Sequence, residues 1–370
     1  MKVALLTNFI PPYRKGLLEK LAKNVSKLTV LVSTEMEKNR DWKTDHGALD
    51  VEVQKTWSYT KNWKNENGYP EKSIVHIPRN TLRLLKKMNP DVVVSSELGI
   101  RSLMASMYCK RRKKPLILWL TLSERTETSR KGIRTLLRKR LLKSASAVLG
   151  NGSSCERYIR SMGYDKEVFF VPYTIDLSEN ESELSVSQER LTLLCVGQLI
   201  KRKGIEEMVN AFATWSEHSE RSIRLLVAGD GPERDQLNKL HSNSNIDLEI
   251  LGSVEYEKLG ELYRRADIMV FPTLGDEWGV VVNEALANHV PVMGSMYSQA
   301  VEELIVDGEN GWLFYPDKKE EFVSVLDTAL STSPEKLLEM KRSCSKTLRA
   351  VSVELAVENF ARAIQQCTTE

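Results

Sequence analysis

The chain has 370 residues, of which 41% are apolar and 28% charged, and its formal net charge is only +3. This length suggests two domains rather than one core, and the composition excludes a disordered protein. No apolar run is long enough to span a bilayer. The five cysteines are scattered, which argues against a disulfide framework and favours reduced thiols in a cytosolic protein.

Charge is divided unevenly along the chain. Residues 1–177 hold 34 basic and 17 acidic residues, whereas residues 178–370 hold 19 basic and 33 acidic ones. The densest basic stretches are Lys110 to Lys114 and Arg130 to Lys143. This asymmetry predicts an anionic partner for the N-terminal half.

The N-terminal half alternates short apolar runs with amphipathic ones. Its first segment, MKVALLTNFIPPYRKG, superficially resembles a signal peptide, but the two prolines and the basic residues that follow predict a buried strand and its loop. The strands predicted in this half are 2–8, 28–33, 91–96, 116–121 and 146–150, and the helices are 13–23, 79–88, 98–112, 130–143 and 153–162. Such alternation is typical of a parallel sheet with helical crossovers.

The polar segment LSENESELSVSQER, residues 177–190, lacks periodicity and marks the change from basic to acidic composition, so we interpret it as an interdomain linker. The same alternation returns after it. The predicted strands here are 191–197, 223–229, 248–252, 267–273 and 290–295, and the predicted helices are 204–216, 232–241, 256–265 and 279–288. Helices are expected to dominate after residue 316.

Two carboxylates stand eight positions apart in GDEWGVVVNEALANHVPV, residues 275–292: Asp276 before the predicted helix and Glu284 in its second turn. In open α/β sheets, ligands bind in the loops that follow strands, and the free N–H groups of a helix start favour an anion. We therefore hypothesise a phosphate ester on the amides from Gly279 onward, with its hydroxyls bound by the two carboxylates. The alternative is that the acids merely suit the helix dipole.

A second segment, VGQLIKRKGIEEMVNAF, places Arg202 and Lys203 in a short loop between a strand and a helix. A cation there would meet a diphosphate leaving group, although a solvated basic turn has the same pattern. A third, LLVAGDGPER, lacks the GxGxxG fingerprint and is better explained by ordinary turn chemistry.

Together these pieces resemble a family 4 glycosyltransferase with the GT-B fold. The segments that carry the resemblance are VGQLIKRKG, AGDGP, ELYRRADIMVFPT, DEWGVVVNEALANHVPV and VDGENGWLF, in the order and spacing of that family. It is dense from about 191 to 330 and looser in the N-terminal half, where TNFIPPYR and VPYTIDLS resemble members that build bacterial surface polysaccharides.

The resemblance implies an α/β protein in which two Rossmann-like, doubly wound parallel-sheet domains face a cleft. The acceptor-binding domain is expected at 1–178, completed by a crossing C-terminal helix at 353–370. The domain that binds the nucleotide-sugar donor is expected at 179–352.

The family carries two Glu residues eight apart, one for the donor sugar and one for the ribose. Glu284 matches the second, and Asp276 replaces the first, because Glu277 is one position short of the spacing. The resemblance thus implies Asp276, Lys203 and Glu284 as catalytic residues. The implied donor-binding residues are Gln198, Arg202, Lys203, Asp276, Trp278, Gly279, Val280, Val281 and Glu284.

The family also pairs an Arg with a Lys five positions later to hold the diphosphate. Lys203 matches the Lys, but Gln198 occupies the Arg position. We hypothesise that Arg202 or the helix start supplies the missing positive charge.

The acceptor side is expected to involve loops at N-terminal strand ends. The candidates are Pro12, Tyr13, Arg14, Glu97, Ser123 and Glu124. For Tyr13 the alternative is packing under its loop. For the last three, the alternative is a role as helix caps and surface acids.

The implied activity is transfer of a sugar, with retention, from a UDP- or GDP-linked donor to a hydroxyl of a glycan or lipid-linked acceptor. The expected setting is bacterial surface polysaccharide or lipopolysaccharide synthesis, at the cytoplasmic face of the cell membrane, to which the basic residues would attach the protein peripherally. No cofactor is expected, and no metal, because the chain has no Asp-x-Asp and its five His show no ligand spacing.

Three alternatives remain open from the sequence. A nucleotide-sugar epimerase would share the donor site. A nucleic-acid-binding protein, otherwise not expected, would use the aromatic and Lys residues interleaved at 56–69. A non-catalytic sugar-binding relative would account for the departures at Asp276 and Gln198.

Overall fold

The structure is a computed structural model. It describes residues 1–37, 45–64, 70–127, 132–175, 184–187, 190–242 and 245–369. The chain forms two compact units: unit 1 comprises Met1–Asp176 and Val351–Glu370, and unit 2 comprises Leu177–Ala350. Of the predicted linker, 177–183 and 188–189 lie outside the described residues.

The described strands and helices follow the alternation expected from the sequence. The strands are β1 (Lys2–Thr7), β2 (Lys27–Val32), β3 (Asp50–Val53), β4 (Thr56–Lys64), β5 (Pro70–Pro78), β6 (Val92–Ser96), β7 (Leu116–Leu120), β8 (Ala147–Gly150), β9 (Val168–Phe170), β10 (Leu191–Val196), β11 (Ile223–Ala228), β12 (Ile246–Gly252), β13 (Ile268–Phe271), β14 (Val292–Ser295) and β15 (Gly311–Phe314).

The helices are α1 (Pro12–Lys23), α2 (Thr81–Met88), α3 (Ile100–Arg112), α4 (Glu124–Glu127), α5 (Ile133–Ser144), α6 (Ser153–Ser161), α7 (Ile205–His218), α8 (Tyr256–Arg265), α9 (Val280–Ala287), α10 (Gln299–Leu304), α11 (Lys319–Leu330), α12 (Pro334–Leu348) and α13 (Val353–Thr369). Short 3-10 helices cover Lys201–Lys203, Arg234–Ser242 and Arg349–Val351. Across the described part of the chain, every helix is too short or too polar to traverse a bilayer. All five cysteines are described, and none of them forms a disulfide.

Each unit is built on a parallel sheet. In unit 1 the strand order is β3-β2-β1-β6-β7-β8-β9, and in unit 2 it is β12-β11-β10-β13-β14-β15. The second order is that of a Rossmann fold, and the first extends it by one strand when the β4–β5 hairpin is set aside. The predicted doubly wound α/β architecture is therefore confirmed. In each sheet the order reverses at one point, between β1 and β6 in unit 1 and between β10 and β13 in unit 2.

The strands read as continuous apolar runs because both faces of each sheet are covered. In β1, Val3 and Leu5 face the core that includes α1 and α13, whereas Ala4 and Leu6 face the core that includes α2, α3, α5 and α6. The predicted crossing helix, α13, packs on the unit 1 sheet: the ring of Phe360 meets Trp119 edge-on, with centroids 5.4 Å apart.

Several elements were not predicted. The edge strands β3 and β9 have four and three residues, which is too short for a strand pattern to be recognised in the sequence. The aromatic and lysine-rich segment forms the antiparallel hairpin β4–β5, in which Trp57 is 62% exposed and lies under the guanidinium of Arg79, 4.5 Å away. Residues 65–69 of that segment lie outside the described residues. The helix predicted at 232–241 is a 3-10 helix.

Glycine is required where the loop after β10 meets the end of β13. Gly204 has φ +69°, and a Cβ at this position would lie 1.9 Å from the carbonyl oxygen of Pro272. Backbone hydrogen bonds join the same loops, since Leu274 N donates to Arg202 O at 2.8 Å. This close approach brings the two loops at the sheet's reversal point together.

Removing the ring of Phe360 should destabilise unit 1, because the side chain is fully buried against Trp119. We expect Phe360→Ala to lower the free energy of unfolding by about 3–5 kcal/mol. Urea denaturation followed by circular dichroism measures this, with the exposed neighbour Glu358→Ala as control. Equal stability of the two variants would contradict the packing of α13.

Gly204→Ala should also be destabilising, by about 1–3 kcal/mol from the backbone conformation alone and more from the clash with Pro272. The matched control is Gly275→Ala in the adjoining loop, where a Cβ meets no heavy atom within 4 Å. Thermal unfolding of both variants tests the close approach, which is wrong if both melt at the wild-type temperature.

Candidate functional site

The candidate site of unit 2 lies where the strand order reverses, between β10 and β13. Ligands of open α/β sheets bind at such points, in the loops beyond the carboxyl ends of the strands. Here the two loops cover residues 197–204 and 272–279, and the second leads into α9. The loop after β13 is fastened further by Asp276 N, which donates to Tyr297 O at 3.1 Å.

Asp276 forms ion pairs with both cations of the loop after β10. Its Oδ2 contacts Lys203 Nζ and lies 3.5 Å from Arg202 Nη1. Arg202 Nη1 also donates to the carbonyl oxygen of Gly275 at 2.8 Å. These side chains are largely buried, with exposures of 18% for Lys203, 27% for Arg202 and 17% for Asp276. The structure therefore brings together three of the residues singled out in the sequence.

The Asp276 carboxyl is ionised in this setting. Burial by itself would raise its pKa, but the charges of Lys203 and Arg202, the hydrogen bond from Lys203 and the backbone N–H of Glu277 outweigh that effect. The net result is a pKa below the ordinary aspartate value. The site thus holds two positive charges and one permanent negative charge.

The start of α9 presents amides without a side-chain cap. Its N-cap residue, Gly279, has φ +108°, and a Cβ there would lie 2.8 Å from both Phe271 Cε1 and Ser298 Oγ. The first amides, including those of Val280 and Val281, have no acceptor within the helix itself, as at any helix start. Because the dipole adds positive potential, this end of α9 suits an anion.

Trp278 supports the loop rather than presenting its ring. Its side chain is only 1% exposed, and Nε1 donates to Asn283 Oδ1 at 2.8 Å. Its carbonyl oxygen accepts a hydrogen bond from Ala300 N at 3.0 Å. The backbone of Trp278 therefore lies in the loop of the site, as predicted for this position, whereas its indole ring is buried in the core beneath.

Glu284 lies in the second turn of α9 and is 7% exposed. Its Oε2 accepts a hydrogen bond of 2.8 Å from Tyr263 Oη on α8. Burial raises the pKa of Glu284, and the hydrogen bond from Tyr263 partly lowers it again. Burial and the neighbouring Glu284 charge in turn raise the pKa of Tyr263 well above its usual value.

Sequence reasoning missed Tyr263. The residue lies inside ELYRRADIMVFPT, a segment that indicates the family but no particular role for Tyr263. Helical periodicity predicts only that this position is in the core. Nothing local indicates that its hydroxyl meets a carboxylate 21 residues away.

Gln198 is exposed in the loop after β10 and brings no charge. The second cation of the site is instead Arg202, through its contacts with Asp276 and Gly275. This placement favours the hypothesis that Arg202 replaces the Arg that the family resemblance led us to expect at position 198.

In unit 1 a polar cluster lies at the corresponding reversal point, between β1 and β6. Asn8 contacts both Glu97 and Arg101 through its side-chain amide. Arg101 is 4% exposed, and its Nη1 donates to Ser96 Oγ at 3.2 Å. Glu97 has φ +71°, a strained backbone conformation for a glutamate. Asn8 and Arg101 were not predicted: Asn8 lies in TNFIPPYR but was not singled out there, and Arg101 belongs to no recognisable motif.

The predicted residues of α1 pack around aromatic rings. Pro12 is the first residue of the helix, and Tyr13 meets the ring of Tyr173 with centroids 5.3 Å apart. The Arg14 guanidinium lies 4.5 Å above the ring of Trp119 and 5.2 Å from that of Tyr173. Both proposed roles of Tyr13 therefore remain compatible with its position.

The two residues before and in α4 have structural partners. Ser123 Oγ lies 3.2 Å from Thr126 Oγ1, as in a helix cap, and Glu124 Oε2 accepts from Arg157 Nε at 2.6 Å. Glu124 N also donates to Ser154 Oγ at 3.0 Å. These contacts favour the alternative in which both residues cap and brace a turn.

Within the described part of the chain, no three His, Cys, Asp or Glu side chains are grouped so that they could hold a metal ion. The positively charged groups at the unit 2 site are Lys203 and Arg202, beside the uncapped start of α9.

Comparison with known proteins agrees with this geometry. Residues 178–349 match the family model described as "Glycosyl transferases group 1". An uncharacterised glycosyltransferase of Methanocaldococcus jannaschii is 30% identical over 43% of this chain and 42% of its own. The alpha-monoglucosyldiacylglycerol synthase of Acholeplasma laidlawii is 28% identical over 40% of this chain and 36% of its own. The matched stretch thus spans less than half the length of these curated relatives.

A solved structure resembles the whole chain. The Anabaena protein HepE, in complex with UDP, has a TM-score of 0.72 at 15% identity, over 99% of this chain and 100% of that one. The predicted GT-B fold is thereby confirmed, as is the resemblance seen in the sequence. Taken together, these comparisons show that residues 178–349 are similar to the group 1 glycosyltransferases and that the chain has the GT-B fold.

Proposed function

We propose that this protein transfers a sugar from a nucleotide-diphosphate sugar to an acceptor hydroxyl. Unit 2 binds the donor, and unit 1 binds the acceptor. The observation that carries the proposal is the convergence of Lys203, Arg202, Asp276 and the start of α9 on one end of the unit 2 sheet. HepE has the same fold and was solved in complex with UDP, which supports a uridine nucleotide as part of the donor.

The two cations and the α9 amides hold the diphosphate. Negative charge grows on the leaving diphosphate as the glycosidic bond breaks, so groups that are already oriented toward it lower the barrier. Without donor, Asp276 neutralises part of this positive potential by pairing with Lys203 and Arg202. When the diphosphate takes over these cations, the Asp276 carboxylate is released to accept hydrogen bonds from the donor sugar.

Glu284 binds the ribose hydroxyls of the donor. Tyr263 holds its carboxyl in place, since Tyr263 Oη donates to one oxygen and leaves the other as an acceptor. Asp276 is one methylene shorter than the Glu implied by resemblance, so a sugar that it binds must lie closer to the backbone, which bears on which sugar is accepted.

Transfer proceeds with retention of the anomeric configuration. It needs no metal ion, because Lys203 and Arg202 supply the positive charge that a metal would otherwise provide. The acceptor is a lipid-linked or glycan hydroxyl used in bacterial surface polysaccharide synthesis, at the cytoplasmic face of the membrane. A lipid acceptor is supported by the similarity to the alpha-monoglucosyldiacylglycerol synthase and by the excess of basic residues in residues 1–177.

A panel of UDP- and GDP-sugars, screened by thermal shift, tests the proposal. The true donor raises the melting temperature by mass action, and its consumption should require an added acceptor and persist in EDTA. Acceptor-independent isomerisation of the donor would instead identify an epimerase. Binding without turnover under any acceptor would identify a non-catalytic relative.

Arg202→Ala should lower kcat about 10²–10³-fold while the variant still binds donor, because one preorganised charge is lost from the leaving group. The control is Lys201→Ala, in the same 3-10 helix turn, which should leave kcat within about twofold. Steady-state kinetics with the donor from the panel decides the matter. If Arg202→Ala turns over at the wild-type rate, this cation has no part in catalysis.

Donor binding should weaken in mild acid. Only the ionised Glu284 accepts hydrogen bonds from both ribose hydroxyls, and burial raises its pKa, so affinity falls as the pH drops toward that raised value. Tyr263→Phe removes the hydrogen bond that lowers this pKa, so the loss of affinity should begin at higher pH. Calorimetric titration with UDP between about pH 5 and 8 measures the shift. Tyr256→Phe, on the same helix, serves as control, and coincident profiles for Tyr263→Phe and wild type would refute the role of Tyr263.

A further inference from the structure

Helices α3 and α5 of unit 1 leave large apolar side chains in solvent. The exposed fractions are 46% for Ile100, 50% for Met107, 78% for Ile133, 56% for Leu136 and 37% for Leu137. A soluble protein gains nothing from exposing five such side chains on two neighbouring helices, since clustered apolar surface usually marks an interaction site.

On each helix these residues form one stripe. In α5, Ile133, Leu136 and Leu137 have the i, i+3, i+4 spacing of a single helical face, and Ile100 and Met107 are two turns apart in α3. The two helices are packed side by side, and Ser106 Oγ donates to Ser144 Oγ at 3.0 Å across them. We call this apolar face and the charges around it the α3–α5 surface.

The charges of the α3–α5 surface have one sign. Neither α3 nor α5 contains Asp or Glu. The exposed basic residues of the surface are Lys110, Arg111, Arg112, Arg134, Lys139, Arg140 and Lys143. By contrast, Arg138 of α5 is buried and paired with Glu127, so its charge serves the interior of unit 1.

The α3–α5 surface reaches the same edge of the sheet as Glu97. Helices of parallel crossovers run opposite to the strands, so α3 and α5 both begin at the carboxyl edge of the unit 1 sheet. Ile100 and Ile133 stand at these helix starts. The apolar stripe therefore continues to the edge at which the acceptor is proposed to bind.

We propose that the α3–α5 surface docks unit 1 on an anionic lipid bilayer, with the aliphatic side chains at the boundary of head groups and acyl chains and the cations against the head groups. The link to catalysis, a membrane-borne acceptor, rests on the proposed function, but the docking itself does not. This combination of a basic face with exposed aliphatic side chains is what interfacial helices use.

Two other occupants fit the surface less well. A second copy of the chain, docked face to face, would bring seven cations against seven like charges. Nucleic acid would engage the cations, but its phosphates have no use for Ile133, Leu136 and Leu137, and no aromatic side chain is among the exposed apolar residues of these helices in the described structure.

Vesicle sedimentation of the full chain tests the proposal, with vesicles of phosphatidylcholine alone and of phosphatidylcholine mixed with phosphatidylglycerol. The wild type should bind the anionic vesicles preferentially, and less at high salt. The triple variant Arg134→Gln, Lys139→Gln, Arg140→Gln should bind about 100-fold more weakly, at about fivefold per basic residue. The double variant Ile133→Gln, Leu136→Gln should lose at least about tenfold.

Matched controls come from unit 2. The triple variant Lys319→Gln, Lys336→Gln, Lys346→Gln changes the net charge equally, and Val306→Gln removes an apolar side chain that is 44% exposed. Both should bind vesicles as the wild type does. All variants should have the circular dichroism spectrum and the melting profile of the wild type, which shows that both units are folded.

Three results would overturn the proposal. Equal binding to neutral and anionic vesicles would exclude the charge contribution. Loss of binding in the charge variant alone would mark a general polyanion surface. A wild-type dimer that Ile133→Gln, Leu136→Gln converts to a monomer, with vesicle binding unchanged, would assign the apolar stripe to self-association. Vesicle binding in a protein that binds no nucleotide sugar would refute the proposed function alone and leave the docking intact.

Discussion

The arrangement of the unit 2 site depends on one carboxylate, Asp276, which lies between the two cations of a loop 73 residues away in sequence. Without it, Lys203 and Arg202 would place two like charges in a largely buried position, at a cost in electrostatic free energy. With it, the loops after β10 and β13 are joined by side chains as well as by backbone hydrogen bonds. The same ion pairs keep the two cations oriented. An incoming anion can then replace the Asp276 carboxylate as their partner without reorganising the loops.

The two units share one sheet topology, but the side chains at their reversal points differ in charge. In each, the first strand of the sheet ends beside the fourth strand of the parallel order, and that reversal point gathers polar side chains. Unit 2 gathers Lys203 and Arg202, which suit a phosphate. Unit 1 gathers Asn8, Glu97 and Arg101, a set that is closer to neutral and rich in hydrogen-bonding groups, which suits hydroxyls. The strained backbone of Glu97 indicates that its position is maintained by these contacts.

The structure also shows where the excess positive charge of residues 1–177 lies. Part of it is internal, as in the pairs of Arg138 with Glu127 and of Arg101 with Asn8. Much of the rest is concentrated on α3 and α5, beside exposed aliphatic side chains. A charge imbalance in a sequence is thus only a starting point, because surface and interior charges have different consequences.

The sequence by itself determined most of the strands and helices of both sheets, because periodicity and buried apolar runs are local properties, and its motifs carried the likeness to GT-B glycosyltransferases. It also placed Lys203 and Asp276 in the loops that follow two strands and Glu284 in the second turn of a helix. Only the tertiary structure decided that Arg202 joins Asp276, that Tyr263 holds Glu284, and that Trp278 turns inward. The physical reason is that hydrogen bonds, burial and pKa shifts depend on residues brought together by folding, and no local pattern along the chain specifies those partners.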